Sequence, residues 1–232
     1  MSPTPSSQTI DFSSVLASAV HDMKNSLCLL IQSIESLAEL IPPGDNAVSN
    51  QVASVHYEAT RLNTNLVQIL SLYRAELDKL PITIDECFID DLFDDVMSSV
   101  RIYMEQKNLL VSINVQDDIS WYLDRELIFM LINDVLINAM RYGTSQIQLS
   151  AKTSDNMLVI TVEDDGEGYP ESMLQKSTQD LEGFDVSQGR TGLGLYFARL
   201  IANAHSRGEQ YGQISLSNGG TLGGSVFEVR LP

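Results

Sequence analysis

The sequence predicts a chain in two parts, an all-α helical hairpin followed by an α+β sandwich. Two apolar seams at helical spacing, a Pro-Pro-Gly break between them and a change of period after Pro81 carry that prediction. The first seam runs Leu16, Val20, Met23, Leu27, Leu30, Ile34, Leu37 and Ile41, alternating steps of four and three over more than three heptads. Pro42, Pro43 and Gly44 end it, and Asp45 or Asn46 can cap the next helix. The second seam runs Val48, Val52, Val55, Ala59, Leu62, Leu66, Ile69, Tyr73, Leu77 and Leu80, and Pro81 closes it. Two helices of about 30 residues make a hairpin roughly 45 Å long. Two helices alone cannot bury a wide apolar face, so the hairpin is expected to pair with a copy of itself as a four-helix bundle, giving a homodimer. Residues 1–80 are thus read as the hairpin domain and 81–232 as the second domain.

In the second part the period alternates between strand and helix. Residues 82–87 read as a short strand, 88–107 as an amphipathic helix and Leu109–Val115 as a strand. Asp124–Tyr142 is a long helix with an acidic start. Gln146–Ser150 and Met157–Val162 are β-rich runs joined by the turn Thr153-Ser154-Asp155-Asn156. Residues 171–190 are polar with few apolar anchors and read as a mobile loop. Leu193–Ala204 is helical, and Ile214–Ser217 and Val226–Leu231 are closing strands around a Gly-rich turn at Gly219–Gly224. Strands with segregated helices make an α+β sandwich.

Composition excludes several classes of function. The chain has 232 residues, 44% of them hydrophobic, enough for two cored domains. Its net charge is −17, and residues 81–232 carry 23 acidic side chains against 10 basic ones. Such a surface repels nucleic acid and anionic membranes. Cys28 and Cys87 form no zinc-type or redox-type pair and fit a reducing compartment. No apolar run approaches the roughly 20 residues that span a bilayer, and the first ten residues lack a signal-peptide layout. The reading is cytoplasmic, with no nucleic-acid partner and no membrane contact in this chain.

Four strings carry chemistry. His21 sits one position off the first seam, among Ala17, Ser18, Lys24 and Asn25, so it is expected to face solvent. A lone exposed histidine is usually only surface, but Asp22 could accept the Nδ1 proton and leave Nε2 as a nucleophile. Asn25, one turn on, could orient a water. In the second string, Asp134 and Asn138 share a helix face at a spacing of four. An amide oxygen there can help hold hydrated Mg²⁺ against phosphates, and Arg141 adds a cation. The third string, Asp164-Asp165-Gly166-Glu167-Gly168, ends a β run. Its glycines let the backbone approach a ligand, and a carboxylate there can accept from an exocyclic amine. As a bare pattern it is also a plain turn. The fourth, Gly189-Arg190-Thr191-Gly192-Leu193-Gly194-Leu195, opens a helix whose N-terminal N–H groups suit phosphate.

Taken together, in this order and spacing, the strings resemble the catalytic core of two-component sensor histidine kinases from about residue 11 to the end. His21-Asp-Met-Lys-Asn25 is similar to the family's phosphoacceptor box, Asp134–Tyr142 to its asparagine box, and Asp164–Gly168 and Gly189–Leu195 to its two glycine boxes. Phe184 is a loose match to the phenylalanine box. The resemblance implies a protein histidine kinase that uses ATP and Mg²⁺. It would autophosphorylate His21 and pass the phosphoryl group to an aspartate on a response-regulator receiver domain, with phosphatase activity towards that regulator. His21 would be the phosphoacceptor, Asp22 its general base and Asn25 the residue positioning water. Asn138 would bind Mg²⁺ with Asp134 beside it, Arg141 the phosphates and Asp164 the adenine. Gly166 and Gly168 would shape the adenine wall, and Tyr142 would line the pocket. Gly192 and Gly194 would anchor an ATP lid over 171–190. Thr191 and Leu193 would lie against the nucleotide, and Arg190 would meet the γ-phosphate. A flexible joint near Leu80–Pro81 would let the two domains meet.

Three positions depart from the family pattern. Ser26 replaces a frequent proline, so the helix bend there should be weaker. Asp134 stands where asparagine is common, which allows some ATP hydrolysis. Asp165 also stands for a frequent asparagine and is expected to add charge near the nucleotide. His56 and His205 lack a reactive neighbourhood and read as structural. Two rivals remain: a phosphotransfer or phosphatase module that no longer uses ATP, which would have lost the glycine boxes, and a relative using ATP for serine phosphorylation or conformational work, which would lack the hairpin's His-Asp pair. No sensor domain fits ahead of the first helix, so the chain is either an excised core or a short kinase served by a separate sensor protein.

Overall fold

The first seam folds as helix α1, Phe12–Glu39, and the second as helix α2, Asn46–Glu76, in a computed structural model that describes residues 12–42, 46–76, 82–116, 118–177 and 192–232. The chain divides into two compact units, Met1–Arg74 and Ala75–Pro232. The expected joint at Leu80–Pro81 lies outside the described residues. In α1 the Ser26 hydroxyl donates to the Asp22 carbonyl at 3.0 Å, and the helix runs on through Ser26 to Glu39. A proline at that position would remove the backbone donor and break the ladder.

The two helices bury less of their seams than the periodicity suggests. Ile34, Ala53, His56 and Ala59 are buried, whereas Met23, Leu30, Leu37, Val48, Val55 and Leu62 stay exposed. His56, off the seam, lies 3.4 Å from Glu35 Oε1 and is part of the hairpin's interior.

The second unit is a two-layer sandwich. β1 (Asp85–Phe88) pairs antiparallel with β3 (Ser120–Leu123), with Cys87 opposite Trp121. The sequence had signalled no strand at 120–123, because four residues are too few to display an alternation. α3 (Ile89–Lys107) ends at Asn108 in the left-handed region and leads into β2 (Leu110–Val115). α4 spans Arg125–Tyr142, and β4 (Gln146–Ser154) and β5 (Met157–Asp164) follow. Asp155 and Asn156 join these strands with φ of 54° and 62°, the tight turn that matches strand twist. α5 (Glu171–Ser177) and α6 (Gly192–Ala204) come next, then the small hairpin of β6 (Ser206–Arg207) and β7 (Gln210–Tyr211), then β8 (Gln213–Asn218) and β9 (Ser225–Leu231).

The main sheet has the order β2-β4-β5-β9-β8, parallel only between β2 and β4. Its inward residues include Ile147, Leu149, Ile160, Val162, Phe227 and Val229, all buried. Leu92, Phe93 and Val96 of α3, Ile128, Leu131 and Leu136 of α4, and Phe197 and Ile201 of α6 complete the core. The expected sandwich is present, with a mixed sheet.

One expectation needs correction. Residues 171–177 are not loop but a short helix, α5 (Glu171–Ser177). Pro170 fixes its start, because the Pro170 carbonyl accepts from the Met173 and Leu174 N–H groups at 2.8 and 3.2 Å. Residues 178–191, including Phe184, Arg190 and Thr191, lie outside the described residues.

The N-terminus of α4 is a polar knot. Buried Asp124 accepts from Leu127 N–H at 3.0 Å as the helix cap, and from Thr83 N–H at 2.8 Å with its other oxygen. Its own N–H donates to His205 Nε2 at 3.0 Å, so the His205 proton sits on Nδ1, which donates to the Ile201 carbonyl at 2.8 Å. His205, read as structural, is 3% exposed, and burial holds its pKa below the usual 6.5 despite that carbonyl and the Asp124 charge.

The sign of the pH effect follows. The folded chain disfavours protonated His205, while the unfolded chain takes the proton near pH 6.5. The stabilising contribution is complete above that pH and drains away as pH falls below it. Thermal unfolding followed from about pH 7.5 to about 5.5 should show a declining midpoint for the native chain and a shallower decline for His205→Gln. Equal slopes would remove His205 from the account.

Candidate functional site

The exposed face of α4 collects the expected polar residues. Asn138 is exposed, Asp134 one turn earlier is half-buried, and Arg141 and Tyr142 are exposed at the helix end. The Arg141 guanidinium carbon lies 5.4 Å from the Tyr142 ring centroid, a cation–π contact that orients both groups. Just beyond, Gly143 N–H donates to the Ala139 carbonyl at 2.7 Å and closes the helix.

The end of β5 meets this helix end. Gly166 lies so close to the Tyr142 carbonyl and to Asp164 Oδ1 that a Cβ there would collide with both. Asp164 is 2% exposed. Its Oδ1 accepts from Gly166 N–H at 2.8 Å and from Ser225 N–H at 3.1 Å, and its Oδ2 accepts from the Ser225 hydroxyl. A carboxylate offers about four acceptor positions, so these donors leave one, on Oδ2. A buried group that can only accept is suited to an N–H₂ of a ligand.

Sheet register supplies Ser225. Glu163 pairs with Val226, which sets Ser225 beside Asp164 at the mouth of the β5–β9 pair. Gly224 N–H donates to the Asp164 carbonyl at 3.0 Å. Ser225 was not singled out from the sequence, because it is 61 residues from its partner. The only local sign was a serine between a glycine pair and the final β run. Asn218 and Tyr169 were missed for the same reason. The Asn218 amide accepts from Tyr169 N–H at 2.7 Å and donates to the Tyr169 carbonyl at 2.9 Å. Gly168, with φ of 85°, is seated against that amide.

Asp165 spends its charge on local hydrogen bonds. Its oxygens accept from Thr144 N–H at 2.7 Å, Ser145 N–H at 2.9 Å and the Ser145 hydroxyl at 2.6 Å. Burial opposes the charge, but the hydrogen bonds from Ser145 and Thr144 prevail and hold the carboxyl well below the usual carboxylate range. The charge is taken up in fastening the α4–β4 loop.

The remaining predicted residues are distributed as follows. His21, Asp22 and Asn25 lie on α1. The His21 side chain is outside the described set, and Asp22 and Asn25 are exposed. Gly192 opens α6, with Leu193 next; Gly194 is half-buried and Leu195 buried. Arg190 and Thr191 lie outside the described residues. Among the described residues no group of three or more His, Cys, Asp or Glu is placed to hold a metal ion.

The family of histidine kinase-, DNA gyrase B- and HSP90-like ATPases matches residues 123–232, the span that holds α4, both glycine strings and the Asp164–Ser225 knot. The chain is 26% identical over 220 residues to the sensor histidine kinase CssS of Bacillus subtilis, covering 94% of this chain and 46% of the relative. The chain is similar to the catalytic core of sensor histidine kinases. The virulence sensor histidine kinase PhoQ of Salmonella typhimurium is 29% identical over 138 residues, 60% of this chain and 27% of that one. The chain thus spans less than half the length of either relative. The same fold occurs in Acinetobacter baumannii histidine kinase AdeS, with a TM-score of 0.60 and 18% identity, over 91% of this chain and 96% of that one. The catalytic domain of histidine kinase ThkA matches at a TM-score of 0.53 and 19% identity, over 65% of this chain and 96% of that domain.

The fastening role of Asp165 can be tested by a pair of variants. Asp165→Asn keeps an oxygen for Thr144 and Ser145 and should leave stability within about 0.5 kcal/mol of the parent. Asp165→Ala strands both N–H groups and should cost about 1–2 kcal/mol. Chemical denaturation measures each, and equal costs would contradict the fastening role.

Proposed function

We propose that the chain binds ATP with Mg²⁺ at the α4–β5–β9 site, phosphorylates itself on His21, and passes the phosphoryl group to an aspartate of a response-regulator receiver domain. The observation that carries this reading is the Asp164 carboxylate, buried, held by three donors and left with one open acceptor position. That chemistry fits the 6-amino group of adenine. Two glycines at the start of α6 free its N-terminal N–H groups for phosphate, and Arg141 supplies a cation.

The donor set fits Mg²⁺. This ion takes one or two protein oxygens and fills its remaining positions with phosphate oxygens and water. Asn138 would be the direct ligand and Asp134 its neighbour. Bound there, Mg²⁺ would neutralise phosphate charge during transfer. In the transfer itself His21 Nε2 forms a bond to the γ-phosphorus, the bond to the β,γ-bridging oxygen breaks, and ADP leaves with the electron pair. Asp22 takes the Nδ1 proton. Asn25, one helical turn from His21, would hold the water that hydrolyses the regulator's phosphoaspartate. A module that no longer uses ATP would have no need of the satisfied Asp164.

The exposed seam supports a homodimer. Met23, Leu30, Leu37, Val48, Val55 and Leu62 form an apolar stripe along the hairpin that a second copy would cover. The input signal would come from sensor sequence or from a separate sensor protein.

Incubation with γ-labelled ATP and Mg²⁺ should label the chain. The label should be acid-labile and base-stable, and His21→Ala should abolish it. An unlabelled chain that still binds ATP would overturn the autokinase reading. Sedimentation equilibrium should report a dimer, and Leu30→Glu with Leu62→Glu should raise the dissociation constant by at least about a hundredfold, since each buried leucine contributes roughly 1.5–3 kcal/mol. A dimer unaffected by the pair would move the interface elsewhere.

A further inference from the structure

The loop that leaves Asp164 carries two glycines, Gly166 and Gly168, and Gly168 has a φ of 85°, in the left-handed region. Glycine gives up more backbone freedom on ordering than any other residue, so such a loop needs anchors to keep one shape. Its near end has them. Asp164 lies in β5, Asp165 is fastened to Thr144 and Ser145, and Gly166 N–H donates to Asp164 Oδ1. The far end, at Gly168 and Tyr169, is held from another strand.

Asn218 is that anchor. Its Oδ1 accepts from Tyr169 N–H at 2.7 Å, and its Nδ2 donates to the Tyr169 carbonyl at 2.9 Å. One planar amide thus serves both main-chain groups of one residue, as a neighbouring strand would. Only a group that accepts at one atom and donates at the other can do this. The fit is close: a Cβ on Gly168 would stand 2.8 Å from the Asn218 amide. Asn218 is also the last residue of β8 and the register partner of Ser225, which fastens Asp164. One rung of the β8–β9 pair therefore holds the carboxylate through one side chain and the loop that leaves it through the other.

We propose that Asn218 is a positioning residue for the nucleotide: its paired bonds to Tyr169 hold the Gly166–Gly168 loop as a preformed wall of the base pocket. A wall ordered in advance does not have to be ordered by the ligand, so its anchor adds to affinity without touching the base. The proposal rests on the nucleotide reading above and adds to it a residue outside the four strings.

The test is calorimetric binding of ADP with Mg²⁺ to the whole chain, to Asn218→Ala and to Asn218→Asp, each compared with the parent at the same pH. Asn218→Ala removes both bonds and should weaken ADP by about three- to tenfold at every pH, the factor of one net neutral hydrogen bond. At about pH 8 Asn218→Asp sets a charged oxygen against the Tyr169 carbonyl and should bind at least as weakly. The acidic groups along the neighbouring elements are Glu163 and Asp164 on β5, Glu167 in the loop and Glu171 on α5. With that carbonyl they disfavour a further charge, so the new carboxyl should take its proton above the ordinary value of about 3.9. Once protonated it accepts at one oxygen and donates at the other, as the amide does. Its ADP affinity should therefore return to within about twofold of the parent as pH falls to about 5, while Asn218→Ala stays weak.

A role in stability alone would not restore one variant and leave the other. An Asn218→Asp that runs parallel to Asn218→Ala across pH, or an Asn218→Ala that binds ADP as the parent does, overturns the proposal and leaves the nucleotide reading standing. A parent chain that binds no ADP overturns both. Asn218 is exposed; should Asn218→Ala nonetheless fold poorly, Asn218→Asp read at the two ends of the pH range carries the test alone.

Discussion

The second unit is organised around the need to satisfy one buried carboxylate. An unpaired charge at the depth of Asp164 would cost several kcal/mol, against a total domain stability of about 5–15 kcal/mol. The donors that prevent this are Gly166 N–H, Ser225 N–H and the Ser225 hydroxyl. They come from two places far apart in sequence, so the carboxylate is satisfied only if β9 pairs with β5 in the observed register. A one-residue slip would turn Ser225 away and put Val226 in its place. The same register places Gly224 against the Asp164 carbonyl, where no side chain fits. Strand pairing, glycine placement and the open acceptor position are one constraint seen from three sides.

That constraint reaches α4 through its C-terminus. Gly166 touches the Tyr142 carbonyl, and Asp165 fastens Thr144 and Ser145 immediately after the helix. At the other end Asp124 caps the helix, holds Thr83 and is itself held by His205. An 18-residue helix tied at both ends by buried or charge-assisted hydrogen bonds presents Asn138 and Arg141 from a rigid frame. Rigidity of this kind is what a positioning mechanism requires, since misplacement by about 1 Å can cost a hundredfold in rate.

Helices were legible because their signal is local. The seams, the acidic start of α4 and the Pro42–Gly44 break gave every long helix to within a few residues. Strands were legible where alternation ran long, as in β4 and β5, and β1 was read as a short strand, but its partner β3 and the β6–β7 pair were not. Half of the site was legible for the same reason: Asp164, Gly166, Asn138 and Arg141 stand in contiguous strings. Ser225, Tyr169 and Asn218 were not, because their roles exist only across the sheet, 49 to 61 residues from their partners. Asp165 was seen for its charge and not for its partners. Its charge was visible, but the Thr144 and Ser145 N–H groups that absorb it belong to a loop whose direction depends on how α4 packs.

The acidity of the chain does not argue against a polyanionic ligand, because distance and screening separate the two. At physiological ionic strength exposed charges beyond about 8 Å are largely screened, so the net charge of −17 sets solubility more than affinity. The groups within reach of a phosphate decide binding. Asp165 keeps its charge but is bound into the α4–β4 loop by Thr144 and Ser145, and Asp164 is buried. Among the described residues, what would face the phosphates is Arg141, held over Tyr142, and the glycine-opened start of α6. A bound divalent ion would share the charge compensation with these groups. Nucleotide affinity would then depend on Mg²⁺, as local compensation of phosphate charge requires, whatever the net charge of the chain.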